Sequence, residues 1–362
     1  MADLRVFYTQ GKVTAVYAVF FPVLAVLSLC YFVGISLRHL LYKTGILKTY
    51  RPKAKVISIG NLTLGGSGKT PCVEYLAKTL AGQGRRVAVL IRGYKRPQQA
   101  KDTGSEGYYR FGDEAAMLKS SLAARADVFV GTDRRALAAI LDGKNSCDVM
   151  ILDDGFQHWP LARDLDIVTI DATRPFGFSW LLPLGHLREG LGALQRAQVL
   201  CLTRCDELPL QDLERLVSRL KRIHPNGLII RSVHAAAGLS DASDGSARDL
   251  NTLQGAKVAV VCAIAHPESF LKLVGRCGAS VVWNKFFEDH HEFSEADLSN
   301  AVSEALKHGA SMLLVTQKDA PRLEAWARRR SRSLSICALN MVLEVIEGNE
   351  ALNARLDLVF SS

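Results

Sequence analysis

The stretch Gly65-Gly66-Ser67-Gly68-Lys69-Thr70 constrains the fold more than any other part of the chain. It follows the apolar run Val56-Ile57-Ser58-Ile59 and opens a helix-patterned segment from Pro71 to Leu80. A glycine-rich turn of this kind, set between a strand and a helix, is a phosphate-binding P-loop. The glycines let backbone N–H groups converge, and the helix N-terminus adds its positive pole. Together they can wrap the β- and γ-phosphates of a nucleotide, with Lys69 reaching the oxygens and Thr70 ligating Mg²⁺. The general pattern has glycine at the position occupied here by Thr63.

The rest of the chain continues the strand–helix alternation that a P-loop requires. Short apolar runs predict strands over Lys55–Ile59, Val87–Ile91, Asp127–Val130, Val149–Leu152, Ile167–Ile170 and Val199–Thr203. Helical patterns fill gaps between them at Pro71–Gly82, Asp113–Ala124, Arg134–Leu141 and Leu210–Ile223. This is a doubly wound α/β domain with a mostly parallel sheet. Around Ala235–Gly255 the composition shifts to Ala, Gly, Ser and Asp, which reads as an exposed connection. A second, smaller α/β set follows: strands Val258–Ala263, Ser280–Trp283 and Ser311–Thr316, with helices Pro267–Cys277 and Ser294–His308. The basic run Arg328-Arg-Arg-Ser-Arg332 is expected on a solvated helix end.

Before the P-loop, Val13 to Leu37 is a run of 25 residues without a charge. As a helix it would be about 38 Å long, against roughly 30 Å for a bilayer's hydrocarbon core. Pro22 would kink it, so a bent interfacial insertion is as compatible with the run as a span. Residues 1–55 carry eight Lys and Arg against one acid, which is +7 of the formal +9 of the chain. That excess lies beside an apolar helix, so the expected partner is an anionic membrane surface and not a nucleic acid. Six of the eight bases follow the run, which places the remainder of the chain in the cytoplasm by the positive-inside rule. Cys30, Cys72, Cys147, Cys201, Cys262 and Cys337 lie in apolar runs and are read as buried reduced thiols.

In open parallel sheets, ligands bind beyond the carboxyl ends of the strands, so the polar residues there are the candidates for chemistry. Arg92-Gly93-Tyr94 follows the second strand and could face phosphate or a sugar ring, or form a plain turn. Gly112-Asp113-Glu114 opens a helix, where acids serve either the helix dipole or catalysis. Asp148-Val-Met-Ile-Leu-Asp153-Asp154 is an apolar strand ending in two carboxylates, as a Mg²⁺-binding Walker B segment is, and it runs on into Gly155-Phe-Gln157-His158. Leu187-Arg188-Glu189 offers an ion pair. Asp289-His290-His291, flanked by further acids, suits either metal binding or a carboxylate-tuned catalytic histidine.

These segments occur in one order: Gly60-Asn61-Leu62-Thr63 through Pro71, Arg92-Gly93-Tyr94, Gly112-Asp113-Glu114, Asp153-Asp154-Gly155-Phe156-Gln157-His158, Leu187-Arg188-Glu189, Asp289-His290 and Thr316-Gln317-Lys318-Asp319. In that order they resemble the tetraacyldisaccharide 4′-kinase family of lipid A biosynthesis, in which Thr63 is a familiar replacement. Glu288 and Gln317 depart from the family pattern, which has a proline and an acidic residue there. The resemblance implies transfer of the ATP γ-phosphate to the 4′-hydroxyl of a tetraacylated glucosamine disaccharide 1-phosphate, at the cytoplasmic face of a Gram-negative inner membrane. It also implies roles. Thr63, Gly65, Gly66, Ser67, Gly68, Lys69 and Thr70 would bind ATP, and Thr70, Asp153 and Asp154 would hold Mg²⁺. Asp113 would act as general base supported by His290, with Asp289 beside it. Arg92, Tyr94, Arg134, Gln157, His158, Arg188 and Glu189 would shape the substrate or metal surroundings.

The expected organisation is an anchor with its basic flank over 1–45, a P-loop kinase domain over 46–234, and a linker with a smaller α/β domain over 235–362, whose C-terminal helix can return to the kinase domain. No nucleic acid and no obligate protein partner is expected. Two other classes stay open on sequence. A membrane-tethered nucleotide switch would use Asn-Lys-x-Asp, which Thr203-Arg-Cys-Asp206 and Gln317-Lys-Asp319 match only in part. A structural membrane protein with a vestigial P-loop is opposed by the retained Lys69, Thr70 and paired aspartates.

Overall fold

The computed structural model describes residues 15–92, 113–289, 291–330 and 334–361. Helix α1 (Ala15–Lys43) comes first. The chain then alternates through β1 (Lys55–Gly60), α2 (Lys69–Gly82), β2 (Val87–Ile91), α3 (Asp113–Ser121), β3 (Ala126–Val130), α4 (Arg134–Gly143), β4 (Val149–Asp153), β5 (Leu165–Asp171), β6 (Val199–Thr203), α5 (Leu210–Ile223) and β7 (Leu228–Asp241). The second half holds a short β8 (Ala247–Arg248), then β9 (Lys257–Cys262), α6 (Pro267–Arg276), β10 (Ser280–Phe286), α7 (Glu295–Lys307), β11 (Met312–Thr316), α8 (Ala320–Arg330), β12 (Ser335–Glu347) and α9 (Asn349–Ser361).

The strands form one sheet in the order β10-β9-β11-β12-β7-β6-β5-β1-β4-β2-β3, with β8 added beside β7. Neighbours are parallel except β7 with β12 and β7 with β8. Strands β1, β2, β4, β5 and β6 are buried almost residue for residue. That is why they read as continuous apolar runs: helices cover both faces, so side chains pointing either way leave water. On one face Ile57, Ile59, Val89 and Ile151 pack under Val73, Leu76 and Leu80 of α2. Leu352, Leu356 and Val359 of α9 join the same cluster, and Tyr75 Oη donates to Asn349 Oδ1 at 2.7 Å. On the other face Val56, Ala88, Leu90, Met150 and Leu152 meet Ala138 and Leu141 of α4. The second half has its own two clusters, one on each side of β9 and β11.

Besides the short β8, two strands lie outside the sequence-predicted set, β7 and β12, and they join the halves. The first part of β7 pairs with β6, while β12 runs antiparallel along nearly its whole length and pairs with β11 on its other side. Residues 235–241, expected as linker, are therefore strand, and the boundary expected at 235 falls inside β7. Their small side chains hide the pattern. The ribbon is held by backbone hydrogen bonds, with register shifts at Asn340/Met341 and Val345/Glu347, while alternate β12 residues Cys337, Leu339 and Leu343 are buried in the cores beside it. The exposed connection begins only after Asp241. Cys30, expected buried, is exposed on α1, while Cys72, Cys147, Cys201, Cys262 and Cys337 are buried.

Helix α1 contains Val19–Lys43, a segment long and apolar enough to cross a membrane by length and composition. The exposed large hydrophobics on it include Val19, Phe20, Val26, Leu29 and Val33.

Candidate active site

The parallel half-sheet brings the carboxyl ends of β1, β2, β4, β5 and β6 to one edge, and the loop from β1 to α2 crosses that edge. Gly65 and Gly68 have φ of 107° and 81°, conformations in which a side chain is strained. Gly68 is also crowded, since a Cβ there would stand 2.9 Å from Thr203 Cγ2. The first half of the loop is held at its open side by residues 186–188. Leu64 N donates to His186 O at 2.9 Å, Arg188 N donates to Leu62 O at 2.7 Å, and Thr63 forms an antiparallel bridge with Leu187. Underneath, Ser67 is 2% exposed and turns its hydroxyl toward the sheet. It accepts from Asn61 Nδ2 at 2.9 Å and pairs with Thr169 Oγ1 at 2.8 Å. Thr203 Oγ1 donates to Ser67 O at 3.1 Å. Ser67 thus fixes the loop, leaving main-chain N–H groups, Lys69 and the half-buried Thr70 at the helix start to meet a ligand.

The acids at the end of β4 complete the centre. Asp153 is 4% exposed, and its carbonyl accepts a hydrogen bond from Arg134 Nη1. Asp154 adopts a left-handed φ of 49°. Its carboxylate accepts from Arg188 Nη1 at 2.8 Å through both oxygens and lies 3.7 Å from Lys69 Nζ. Burial opposes ionisation of Asp154, but Lys69, Arg188 and Arg134 outweigh it and hold the carboxyl below its ordinary range. Arg134, nearly buried at the start of α4, has its own pKa lowered by burial, against the pull of Asp154 and Asp153. Gln157 Nε2 donates to Asn61 O at 3.0 Å, which ties the loop after β4 to the P-loop. Burial, then Arg134 and Arg163, push His158 down to about 3, so it is a neutral imidazole at physiological pH. Arg92 follows β2 and is exposed.

Arg188 and Glu189 do not pair with each other. Arg188 reaches Asp154, whereas Glu189 is 3% exposed and accepts from Arg196 Nη1 at 2.8 Å and Nη2 at 3.0 Å. Asp289 lies in the second half after β10 and receives Lys318 Nζ at 3.0 Å. Its neighbour His291 stacks on Phe287 at 4.5 Å and pairs with Asp297 at 3.2 Å. Helix α3 starts at Asp113, but the Asp113 side chain lies outside the described residues, as do His290 and Tyr94. The structure thus assembles Lys69, Asp153, Asp154, Arg134 and Arg188 around the P-loop and sets Asp289 on the other half of the sheet.

Residues the sequence reading did not single out stand behind the loop. Arg204, in the left-handed region with φ 56°, bonds the buried Asp171 and donates to Gly66 O at 3.1 Å. His266, just before α6, lies 3.7 Å from Asp171 and closest to the position of a Gly66 Cβ, so the second half of the chain touches the P-loop tip. Burial, then Arg204, push His234 down to about 4. The one sequence signal for this group is Thr203-Arg204-Cys-Asp206, which aligns with a strand end but resembles a different motif.

Hydroxyl and carboxylate oxygens are the hard donors that Mg²⁺ prefers, and Mg²⁺ is held by one or two carboxylates together with ligand phosphates. Thr70, Asp153 and Asp154 fit that donor set, and among the described residues no group of three or more His, Cys, Asp or Glu offers an all-protein cage.

A P-loop at the edge of a parallel sheet, with a lysine at its helix start and paired acids on the adjacent strand, defines a P-loop phosphotransferase. The sequence model of tetraacyldisaccharide-1-P 4′-kinases matches residues 20–361. Relatives named tetraacyldisaccharide 4′-kinase include one from Anaeromyxobacter sp. (strain K), 38% identical over 333 residues, which span 90% of this chain and 87% of that protein. One from Halothermothrix orenii is 34% identical over 315 residues, 82% of each chain. The solved structure of LpxK from Aquifex aeolicus in complex with ATP superposes with a TM-score of 0.71 at 27% identity, covering 95% of this chain and 99% of that one. The chain belongs to the tetraacyldisaccharide 4′-kinase family. It is an ATP-dependent lipid kinase of lipid A biosynthesis.

Proposed function

We propose that the chain transfers the γ-phosphate of ATP to the 4′-hydroxyl of a tetraacylated glucosamine disaccharide 1-phosphate, with Mg²⁺, at the cytoplasmic face of the inner membrane. One observation supports this reading above the others. The segment 181–189, which delivers Arg188 to Asp154, is the same segment against which the apolar helix α1 rests. A phosphoryl-transfer centre and a membrane-seeking surface thus share a wall. Exposed Phe178 and Trp180 extend that surface next to it.

In this reading Lys69 and the N–H groups of the P-loop take the phosphates, where positive charge meets the charge that develops during transfer. Thr70, Asp153 and Asp154 would hold Mg²⁺, which would supply positive charge against the transferring phosphoryl group. Asp113 orients the 4′-hydroxyl and accepts its proton as the new P–O bond forms and the bond to ADP breaks, with His290 tuning the carboxylate. Asp289 precedes that histidine in sequence and pairs with Lys318 in the second half of the sheet. Closure of that half over the edge excludes water, which would otherwise take the phosphoryl group. Arg92, Tyr94, Arg134, Gln157 and His158 line or brace the acceptor side.

The test is direct transfer of labelled γ-phosphate from ATP to the purified lipid disaccharide in detergent, with the product located by mass spectrometry. Label at the 4′-position is the expected result. ATP hydrolysis without lipid labelling, or label on another hydroxyl, overturns the assignment.

A further inference from the structure

Helix α1 is more than a free tether in this fold. Its less exposed positions Ser28, Tyr31, Ile35, His39 and Tyr42 recur every three to four residues and form one stripe along about 21 Å of helix. Each end of that stripe is bonded to the body. Ser28 is 7% exposed and donates to Leu181 O at 3.2 Å, and Tyr31 Oη donates to Arg188 O at 3.1 Å. His39 Nε2 lies 3.4 Å from Glu189 Oε2, and its ring sits 4.6 Å from that of Trp159. The outward side of the same helix is apolar and exposed.

These contacts lead into the catalytic edge by two routes. The carbonyl that Tyr31 holds belongs to Arg188, whose guanidinium clamps Asp154. The carboxylate that His39 meets belongs to Glu189. Glu189 fixes Arg196, which lies 4.4 Å over the ring of the fully buried Phe156, two residues after Asp154. Both loops that carry Asp154 and its partner are thus braced by one face of the membrane helix.

We propose that Tyr31 and His39 are positioning residues for phosphoryl transfer: the docked face of α1 sets the Arg188–Glu189 segment and, through it, the Asp154 carboxylate. This rests on the kinase reading above. A tether acts by raising the local concentration of a membrane-borne acceptor, so its loss appears in KM. A brace acts on the geometry of the reacting groups, where a displacement of about 1 Å can cost up to a hundredfold in rate, so its loss appears in kcat.

The experiment uses the full-length protein in neutral-detergent micelles at saturating lipid disaccharide and ATP, where tethering has no effect. Tyr31→Phe and His39→Ala should each lower kcat about three- to tenfold, with KM for either substrate within about twofold. His39→Gln keeps an N–H donor for Glu189 and should recover most of the rate. Phe20→Ala with Val26→Ala, on the outward side, should weaken vesicle binding and raise KM for vesicle-borne lipid while leaving the micellar kcat unchanged. If the docked-face variants keep wild-type kcat in micelles, or lose only melting temperature, the helix is a tether and the proposal fails. Tyr31→Phe removes one hydroxyl and keeps the ring, so it reads the effect even if His39→Ala misfolds. Failure of the wild-type protein to label the lipid at all would instead remove the kinase reading on which the proposal stands.

Discussion

Replacing Asp154 by asparagine should separate nucleotide binding from turnover. The Asp154 carboxylate lies 3.7 Å from Lys69 Nζ, so a phosphate must compete with it for the lysine and must also approach a negative charge. At an effective dielectric of about 20, a pair of unit charges at that distance interacts by about 4 kcal/mol. The carboxylate is one-third exposed and already shared with Arg188, so a net effect on the order of 1–2 kcal/mol is what remains. Asp154→Asn removes that opposition and should tighten ATP binding without metal by about five- to thirtyfold. Titration calorimetry in EDTA reads this, and the gain should shrink as salt screens the charges. Transfer with ATP and Mg²⁺ should meanwhile fall by at least about a hundredfold, because the variant loses one of the carboxylates proposed to hold Mg²⁺. Unchanged or weaker metal-free binding in a variant that melts like wild type would show that the Lys69–Asp154 pair does not oppose the nucleotide. Full turnover with Mg²⁺ would remove Asp154 from the chemistry.

Lys69→Ala and Thr70→Ala should each nearly abolish transfer with little change in melting temperature, since both act on phosphates and metal and not on the core; a near-wild-type kcat in either would overturn the P-loop assignment. Asp113→Ala should lose about 10² to 10⁴ in rate with ATP affinity kept, and the Asp113→Ala/His290→Ala pair should be scarcely slower, because residues acting as a unit do not lose multiplicatively. Fully multiplicative losses, read from single-turnover rates, would count against a coupled pair. His158 sits at about 3 in the folded protein, below the ordinary histidine value of about 6.5. The unfolded chain therefore takes up the proton first: the stability from a neutral His158 is full above about pH 6.5 and is lost as pH falls toward 3. Calorimetric melts should show that His158→Gln narrows the melting-temperature gap between pH 7.5 and pH 5, and a gap as wide as in wild type would refute this.

What the sequence by itself determined were features carried by short, contiguous patterns. The β1–P-loop–α2 unit was legible because Gly65, Gly68 and Lys69 act through local backbone geometry, and Gly68 does take the left-handed conformation at the helix start. The buried strands were legible because burial on both faces leaves an unbroken apolar run, and β2 and β6 have the bounds that those runs predict. Helix α1 was legible as a membrane-seeking segment, but its docked side was not. Ser28, Tyr31 and His39 find partners 150 or more residues away, and no local pattern encodes them.

Only the tertiary structure decided how charge is distributed at the site. Adjacent in sequence, Arg188 and Glu189 look like an ion pair, yet they serve different partners, because the segment that holds them is stitched to the P-loop on one side and packed over Arg196 on the other. The ribbon of β7 and β12 and the Arg204–Asp171 pair behind the loop likewise exist only by pairing across the chain. The physical reason is common to all of them. Local sequence sets backbone conformation and which side chains avoid water, whereas the partner of a buried charge or of a strand edge is chosen by whatever folding brings within hydrogen-bond reach.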